Sequence, residues 1–223
     1  MRVASKGEGI DLLILHGGGK ACADRYLNLA EKLAEAGFRV HLMDHRGHGR
    51  TRGELLGQTL EARAEEVALV REKLSLNPEE LVVIAFSMGA FPAIDLAKNH
   101  PDLMGIVLCA PAAYGESARR VPFGPQFTRT ISRPFSWRGS PMFQDCTEYG
   151  GTLCLVFAEL DEVIPTEVSE EYLRIWWRKK GRGFLLRLGG APHQLGSWFA
   201  ANYADRDLFV SMIEGMFGSR SPA

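Results

Sequence analysis

A serine stands where a strand pattern gives way to a helix pattern. Residues 81–86 read Leu-Val-Val-Ile-Ala-Phe, and the apolar period of a helix begins just after Ser87. Small residues lie two positions to either side, Ala85 and Gly89, so a strand and a helix could pack closely across a sharp turn. Such a turn exposes the hydroxyl at the carboxyl end of the strand. Ser87 is therefore the candidate nucleophile, and the alternative is a serine in an ordinary strand-to-helix turn.

A serine hydroxyl is a poor nucleophile at neutral pH, so it needs a general base, and that base needs an orienting carboxylate. Of the six histidines, only His193 follows the last predicted strand, in a glycine-rich loop. We predict that His193 is the base, with an ordinary surface-loop histidine as the alternative. Asp161 lies in the turn before Pro165, after the preceding strand, and is the predicted acid. Glu162 is the next choice.

Attack on a carbonyl produces a negatively charged oxygen, which two preorganised backbone N–H groups would stabilise. The N–H of Met88, at the start of the helix after the serine, is one predicted donor. The loop after the first main strand contains three consecutive glycines, where the backbone can approach a substrate without a side chain in the way. We predict Gly18 as the second donor, with Gly19 as the alternative.

Two other kinds of site do not fit the sequence. The glycines before Lys20 could suggest a phosphate loop, but their spacing matches neither phosphate-binding glycine pattern. His41, Asp44, His45 and His48 could suggest a metal, but they lack a further ligand or a helical pair at i and i+4. A hydrogen-bonded structural turn is predicted there instead. We expect no metal and no other cofactor.

Strands and helices alternate along most of the chain. Strands are predicted at residues 11–15, 38–43, 81–86, 104–109, 152–158 and 183–188, with a weak edge strand at 1–5. Helices are predicted between a capping Asp24 and Gly37, and at about 59–74, 88–99, 167–179 and 197–217. The alternation predicts the α/β class, a doubly wound and mostly parallel sheet of six to seven strands. The candidate residues all follow strands, where ligands of such sheets lie.

Residues 111–151 lack this alternation and follow the fourth parallel strand. Their prolines and aromatic residues predict a short folded flap over the edge of the site, without regular elements of its own, within a single domain of residues 1–223. The predicted substrate-binding residues are Gly19, Tyr114, Phe123, Phe127 and Trp137. Five arginines of this segment could attract an anionic end of a substrate or could be solvated: Arg119, Arg120, Arg129, Arg133 and Arg138.

The composition restricts the possible partners. The chain has 223 residues, 46% of them hydrophobic, which suffices for a sizeable core. Its 26 basic and 27 acidic residues give a net charge of -1, which offers no electrostatic basis for binding nucleic acid or an anionic membrane. Four cysteines without C-x-x-C spacing predict reduced thiols. No signal-peptide core and no run of ~20 apolar residues occurs, so we expect a cytoplasmic protein without membrane insertion.

The motifs together resemble those of the α/β-hydrolases. The matching motifs are His16-Gly17-Gly18-Gly19, Asp44-His45-Arg46-Gly47-His48-Gly49, Ala85-Phe86-Ser87-Met88-Gly89, Asp161 before Pro165, and His193. The segment 16–53 is most similar to the monoglyceride-lipase and lysophospholipase-like branch. This resemblance implies a Ser-Asp-His triad that hydrolyses esters and related acyl bonds. It also implies an oxyanion hole formed by the residue after the nucleophile and by the loop after the first main strand.

From the residues and the resemblance we expect a cofactor-free serine hydrolase with a small acyl compound as its substrate. It would cleave a carboxylic ester or thioester through an acyl-enzyme on Ser87. The same triad would also support acyl transfer or hydrolysis of a C–C bond. A ligand-binding protein on a hydrolase scaffold is the alternative from a different class, because a fold alone does not fix a function.

Overall fold

A seven-stranded sheet forms the centre of the computed structural model, which describes residues 2–218. The strands are β1 Arg2–Lys6, β2 Asp11–Leu15, β3 Arg39–Asp44, β4 Leu81–Phe86, β5 Gly105–Cys109, β6 Thr152–Leu160 and β7 Leu185–Pro192. Their order is β1-β3-β2-β4-β5-β6-β7, with β1 antiparallel to β3 and the other neighbours parallel. The predicted fold class is confirmed. Of the predicted edge strand, Met1 lies outside the described residues.

Eight α-helices occur among the described residues. They are α1 Leu27–Glu35, α2 Leu60–Lys73, α3 Ala90–Asn99, α4 Pro125–Ile131, α5 Pro141–Glu148, α6 Thr166–Arg178, α7 Leu195–Ala201 and α8 Tyr203–Phe217. Thr59 begins α2 by accepting a hydrogen bond from the N–H of Ala62 at 3.0 Å. Within residues 2–218, none of the helices combines the length and the apolar character needed to cross a bilayer.

Two of the predicted helices differ from the observed ones. Asp24 does not cap α1, because residues 23–26 form a separate 3-10 turn that makes no side-chain cap. The predicted helix at 197–217 is two helices, and it breaks at Asn202. This residue leaves the helical conformation, and its side-chain amide donates to the carbonyl of Trp198 at 3.1 Å. Its backbone N–H donates to the same carbonyl at 2.8 Å, so both groups close the last turn of α7.

The central strands of the sheet are buried on both faces. Every residue of β4 is buried, as expected of a parallel strand covered by helices on each side. Alternate side chains of β2 enter different cores: Leu13 and Leu15 pack with α2 and α3, whereas Leu12 and Ile14 pack with α1 and α8. Each continuous apolar run of the sequence is therefore a strand whose side chains contribute alternately to two cores.

The strand order reverses next to β2. After β2 the chain crosses to β3 on one side, and it later returns to place β4 on the other side. Leu15 at the end of β2 pairs with Ala85 near the end of β4. The carboxyl ends of two strands on either side of such a reversal border a crevice in which ligands of open α/β sheets bind. The glycine loop after β2 and the serine after β4 share this crevice.

The segment 111–151 contains regular structure that the sequence analysis did not predict. It holds α4, α5 and a 3-10 turn at Glu116–Ala118. Hydrogen bonds attach it to the body of the protein. The hydroxyl of Tyr172 donates to the carbonyl of Ala112 at 3.0 Å, and the hydroxyl of Tyr149 donates to the carbonyl of Leu103 at 2.6 Å. Proline at the first position of each helix explains why residues 125 and 141 begin helices.

Candidate active site

Ser87 occupies a strained backbone position between β4 and α3. Its φ angle is 53°, in the left-handed region that residues with a Cβ rarely adopt. Gly89 makes the turn sterically possible, because a Cβ there would lie 2.8 Å from the carbonyl oxygen of Leu15 and 3.0 Å from that of His16. The turn is thus pressed against the end of β2. This contact holds the Ser87 hydroxyl at the crevice between the two strands.

Ser87, His193 and Asp161 form a continuous chain of hydrogen bonds. His193 Nε2 lies 2.9 Å from Ser87 Oγ, and His193 Nδ1 lies 2.9 Å from Asp161 Oδ2. A carboxylate only accepts, so Nδ1 carries the proton and Nε2 is free to accept from the serine hydroxyl. The structure therefore brings together the predicted nucleophile, base and acid.

The pairing of β6 with β7 aligns the acid and the histidine. A register shift between Ala158 and Leu160 leaves Leu160 opposite Pro192. Asp161 and His193 are the next residues along each strand, so they leave the sheet side by side. Irregularities of this kind often occur beside active sites, where they redirect a side chain.

Asp161 is held by two backbone groups as well as by the histidine. Its Oδ1 accepts from the N–H of Val163 at 2.9 Å and from that of Ile164 at 3.0 Å. Burial alone would raise the pKa of Asp161, but the hydrogen bonds from His193 and from these N–H groups outweigh it and lower the pKa. The side chain is fixed and charged. Glu162, the alternative acid, is exposed.

The glycine loop lies directly over the serine. A Cβ on Gly17 would lie 3.2 Å from the Cβ of Ser87, and one on Gly18 would lie 2.9 Å from Cε of Met88. The two predicted oxyanion donors, Gly18 and Met88, are therefore adjacent. Gly19 has a φ of 63° and open space around its Cα.

The carbonyl of Gly17 receives two side-chain hydrogen bonds from behind the loop. His16 Nδ1 lies 2.8 Å from this oxygen, and Arg63 Nη1 donates to it at 3.2 Å. The N–H of His45 donates to His16 Nε2 at 3.2 Å, so His16 carries its proton on Nδ1 and donates it to Gly17. Burial lowers the pKa of His16 to about 2, which keeps the ring neutral.

His45 and His48 of the predicted structural turn belong to the same buried polar cluster, whereas His41 contacts Asp11 at 2.6 Å instead. Arg63 Nη2 donates to His48 Nε2 at 2.6 Å, so His48 donates through Nδ1 to the carbonyl of Ala21 at 2.8 Å. His45 Nδ1 donates to Glu66 at 2.8 Å. Burial lowers the pKa of both His45 and His48, and the positive charge of Arg63 lowers them further. Within residues 2–218 no group of side chains is arranged to hold a metal ion.

Three of the five predicted substrate-binding residues line a cavity beside Ser87. This cavity has a volume of about 400 Å³, and Gly19, Tyr114 and Trp137 form part of its wall. Phe123 and Phe127 are not in the wall, contrary to the prediction. They are buried, and their rings pack edge to face with centroids 4.8 Å apart. These rings join the core that covers the α2 and α3 face of the sheet, and they pack the insertion against it.

The arginines of the insertion are absent from the cavity wall. Arg119 and Arg120 form ion pairs with Glu61 at 3.2 and 2.9 Å, and Arg138 lies over the ring of Phe135 at 3.8 Å. Arg129 and Arg133 are exposed. Neither lines the cavity. The hypothesis that these arginines attract an anionic substrate to the mouth of the site therefore has no support in their positions.

Arg63 and Glu66 were not among the site residues predicted from the sequence. Both lie on α2 and are buried, and the guanidinium of Arg63 is 5.0 Å from the ring centroid of Phe123. The signal was present in the helix, where Leu60, Arg63, Ala64 and Val67 recur at i, i+3, i+4 and i+7. An arginine at a core position of an amphipathic helix requires a buried acceptor. Here one acceptor is the carbonyl of Gly17.

The chain matches one protein family over more than half of its length. The sequence profile described as serine aminopeptidase, S33, matches residues 10–146. This range includes the glycine loop, the buried polar cluster and the turn at Ser87.

Individual relatives are similar over different parts of the chain. Pimeloyl-[acyl-carrier protein] methyl ester esterase from Nitrosospira multiformis is 34% identical over 99 residues, which are 44% of this chain and 37% of that protein. Phosphatidylserine lipase ABHD16A from Mus musculus is 26% identical over 162 residues, 69% of this chain and 27% of that protein. The chain thus spans less than half the length of these curated relatives. The structure of Paleococcus ferrophilus monoacylglycerol lipase aligns with a TM-score of 0.67 and 21% identity, covering 95% of this chain and 98% of that one.

The contact at Gly89 predicts a loss of stability on enlarging this residue. Gly89→Ala should lower the free energy of unfolding by about 1–3 kcal/mol, because the new methyl group meets backbone oxygens that cannot move freely. Urea unfolding measures the change. The matched control is Gly215→Ala on α8, where a Cβ has open space and should raise helix stability by up to about 1 kcal/mol. Equal stability of Gly89→Ala and the parent protein would contradict the prediction.

The buried histidines predict a loss of stability in weak acid. The unfolded chain protonates His16, His45 and His48 near pH 6.5, whereas burial lowers their pKa in the fold. Below that pH the unfolded state binds more protons, so the free energy of unfolding falls by up to about 1.4 kcal/mol per pH unit for each histidine. Burial raises the pKa of Glu66, which opposes part of this loss.

Urea midpoints measured between about pH 5 and pH 8 test this prediction. The comparison variant is His48→Gln, which keeps an acceptor for Arg63 but removes one titrating group. Its midpoint should depend less steeply on pH than that of the parent. A parent midpoint that is flat or rises as the pH falls below 6.5 would contradict the proposed neutral cluster.

Proposed function

Because the chain belongs to the serine aminopeptidase S33 family and has the α/β-hydrolase fold, we propose that it is a serine hydrolase that cleaves a carboxylic ester or thioester. The observation that carries this proposal is the hydrogen-bonded chain from Ser87 through His193 to Asp161. The substrate is a small acyl compound, and the reaction uses no cofactor.

In the first half of the proposed reaction, Ser87 Oγ attacks the carbonyl carbon of the substrate. His193 Nε2 takes the serine proton, and the carboxylate of Asp161 stabilises the charged imidazole through Nδ1–H. A bond forms between Oγ and the acyl carbon. The bond from that carbon to the leaving oxygen or sulfur breaks, and His193 returns the proton to the leaving atom.

In the second half, water replaces the leaving group. His193 removes a proton from the water, whose oxygen attacks the acyl carbon of the ester on Ser87. The bond from the acyl carbon to Oγ breaks, and His193 returns the proton to Oγ. The products are a carboxylic acid and the free serine. The cycle therefore consumes one water and needs no metal or redox group.

The proposed oxyanion donors are the N–H groups of Gly18 and Met88. In a trans peptide the N–H of Gly18 points away from the carbonyl of Gly17. His16 and Arg63 bind that carbonyl from the buried side, which supports an orientation of the Gly18 N–H toward the crevice. Arg63 therefore acts in this proposal as a positioning residue, because it reaches the reacting atoms only through the loop.

The names of the relatives agree with this choice of reaction. One is a methyl ester esterase, another a phosphatidylserine lipase, and the aligned structure is a monoacylglycerol lipase. Esters are the common substrate class. A cytoplasmic location is part of the proposal because Cys109, Cys146 and Cys154 are buried unpaired thiols, as a reducing compartment maintains them.

Removal of the nucleophile tests the proposed function. Ser87→Ala should lose about 10⁴-fold or more in kcat with short acyl esters, and it should no longer react with a fluorophosphonate probe. His193→Ala and Asp161→Asn should also lose activity, without multiplying the loss in the double variants, because the three residues act as a unit. Ser211→Ala, an exposed serine on α8, is the control and should react normally. Turnover retained by Ser87→Ala would refute the proposal.

Substitution of Arg63 tests its role behind the glycine loop. Arg63→Met should lower kcat by about tenfold or more with little change in KM, because a misaligned oxyanion donor acts on the transition state. The affinity for a trifluoromethyl ketone, which forms a tetrahedral adduct, should fall in parallel with kcat/KM. Arg71→Met is the control, since Arg71 lies on the same helix and donates instead to the carbonyl of Leu76.

A purely structural role for Arg63 has a different signature. It would lower the unfolding temperature and the amount of active protein, but the folded fraction would keep its kcat and its affinity for the ketone. Active-site titration with the fluorophosphonate gives the folded fraction, so the two outcomes are separable. Partial recovery in Arg63→Lys, which keeps a donor, is expected of the positioning role.

A further inference from the structure

Two cavities open on Ser87 from different sides. One is the cavity of about 400 Å³ described above, and the other has a volume of about 240 Å³. Gly18, Ser87, His193 and Gln194 border both of them. A substrate whose carbonyl lies over Ser87 therefore extends one part into each cavity, and the chemistry of each wall indicates which part it receives.

The larger cavity has apolar walls. Its apolar side chains include Met88, Ile131, Trp137, Val163, Ile164 and Val168. No Asp, Glu, Lys or Arg of the described residues lines it. Burial of apolar surface is its main source of binding energy. The acyl part of the substrate fits this wall.

The smaller cavity is positively charged. Lys20 and Arg25 line it together with the polar groups of Gln194 and Ser197, and no carboxylate of the described residues takes part in its wall. Ala21, Tyr26, Phe86 and Leu195 complete the wall, so the cavity combines an apolar part with two positive charges that the larger cavity lacks. This combination suits a compact group that carries negative charge beside an apolar part.

The charges of Lys20 and Arg25 are not neutralised by neighbouring acids. In the described part of the chain, neither side chain forms an ion pair. Asp24, the adjacent acid, pairs with Arg50 at 3.5 Å. Asp44 accepts instead from the N–H groups of Ala23 and Arg50, at 2.7 and 3.1 Å. Two positive charges therefore face a cavity that contains the reactive serine.

We infer that the leaving alcohol or thiol of the substrate carries a carboxylate or phosphate, which lies in the smaller cavity against Lys20 and Arg25. The inference rests on the proposed function of Ser87 and adds the class of leaving group. His193 borders both cavities, so it reaches the leaving oxygen or sulfur and protonates it when the acyl bond breaks. The anionic group itself keeps its charge throughout. Because both basic side chains are exposed, the main effect is on attraction and binding of the substrate.

Three test esters distinguish a negative charge on the leaving group from one on the acyl part of the substrate. The butyrate of 4-nitrophenol has a neutral leaving group, and the butyrate of 5-hydroxy-2-nitrobenzoic acid has a leaving group with a carboxylate. The mono-4-nitrophenyl ester of glutaric acid places the carboxylate on the acyl part instead. All three release a coloured nitrophenolate, so the same assay gives kcat and KM for each.

We expect the ratio of kcat/KM for the charged leaving group to that for the neutral one to fall about threefold to fivefold in Lys20→Ala and in Arg25→Ala, mainly through KM. High salt should lower the ratio in the parent enzyme toward the value in the variants. Lys73→Ala and Arg133→Ala remove equal charges at exposed positions outside both cavities and should leave the ratio unchanged.

The outcomes distinguish this inference from the proposed function. If the enzyme hydrolyses the neutral butyrate but the ratio is the same in the cavity variants and the controls, the inference is wrong and the proposed function stands. A preference for the glutarate ester that depends on Lys20 and Arg25 also overturns it, because the charge would then belong to the acyl part. If none of the three esters is hydrolysed, the proposed function fails and the inference falls with it.

Discussion

The close approach of the turn at Ser87 to the end of β2 is the constraint on which the rest of the site depends. Gly89 lies against the carbonyl oxygens of Leu15 and His16, with no room for a Cβ. The same packing holds Ser87 in a left-handed conformation. Since Leu15 also pairs with Ala85, the register of two parallel strands sets the distance from the glycine loop to the serine. Local strain and sheet geometry thus place the Ser87 hydroxyl beside the glycine loop.

The site residues that directly follow strands were predictable from the sequence. Those that lie within a helix or an insertion were not. Ser87, Asp161 and His193 are found together because parallel strands end at one edge of a sheet, so an order of strands suffices to gather them. Phe123 and Phe127 show where prediction of the substrate-binding residues from the sequence fails. An aromatic side chain in an insertion has the same sequence pattern whether it faces a cavity or a core of the protein, and only tertiary packing decides between the two. Arg63 was missed because it lies within α2 and not after a strand, so the order of strands does not bring it to its acceptor, the carbonyl of Gly17.

The buried polar cluster behind the glycine loop lowers the stability of the fold but fixes the orientation of the Gly17 carbonyl. Burial lowers the pKa of Arg63 to about 10, which reflects the cost of removing a guanidinium from water. Arg63 Nε and His45 Nε2 are buried without a hydrogen-bond partner in the described part of the chain, which adds to that cost. An apolar cluster of the same volume would avoid both costs but would leave the Gly17 carbonyl free to rotate. The polar cluster is therefore best explained by its effect on the loop.

The irregular end of β7 also affects whether two molecules of this protein can associate through the edge of the sheet. In the described sheet β7 has a neighbour on one side only, so its other side is an open edge of the kind onto which strands of a second molecule can add. Arg187 places a charge on this strand, Gly189 and Gly190 weaken its extended conformation, and Pro192 has no N–H to offer. The same residues that deliver His193 to the serine thus make this edge a poor template for aggregation.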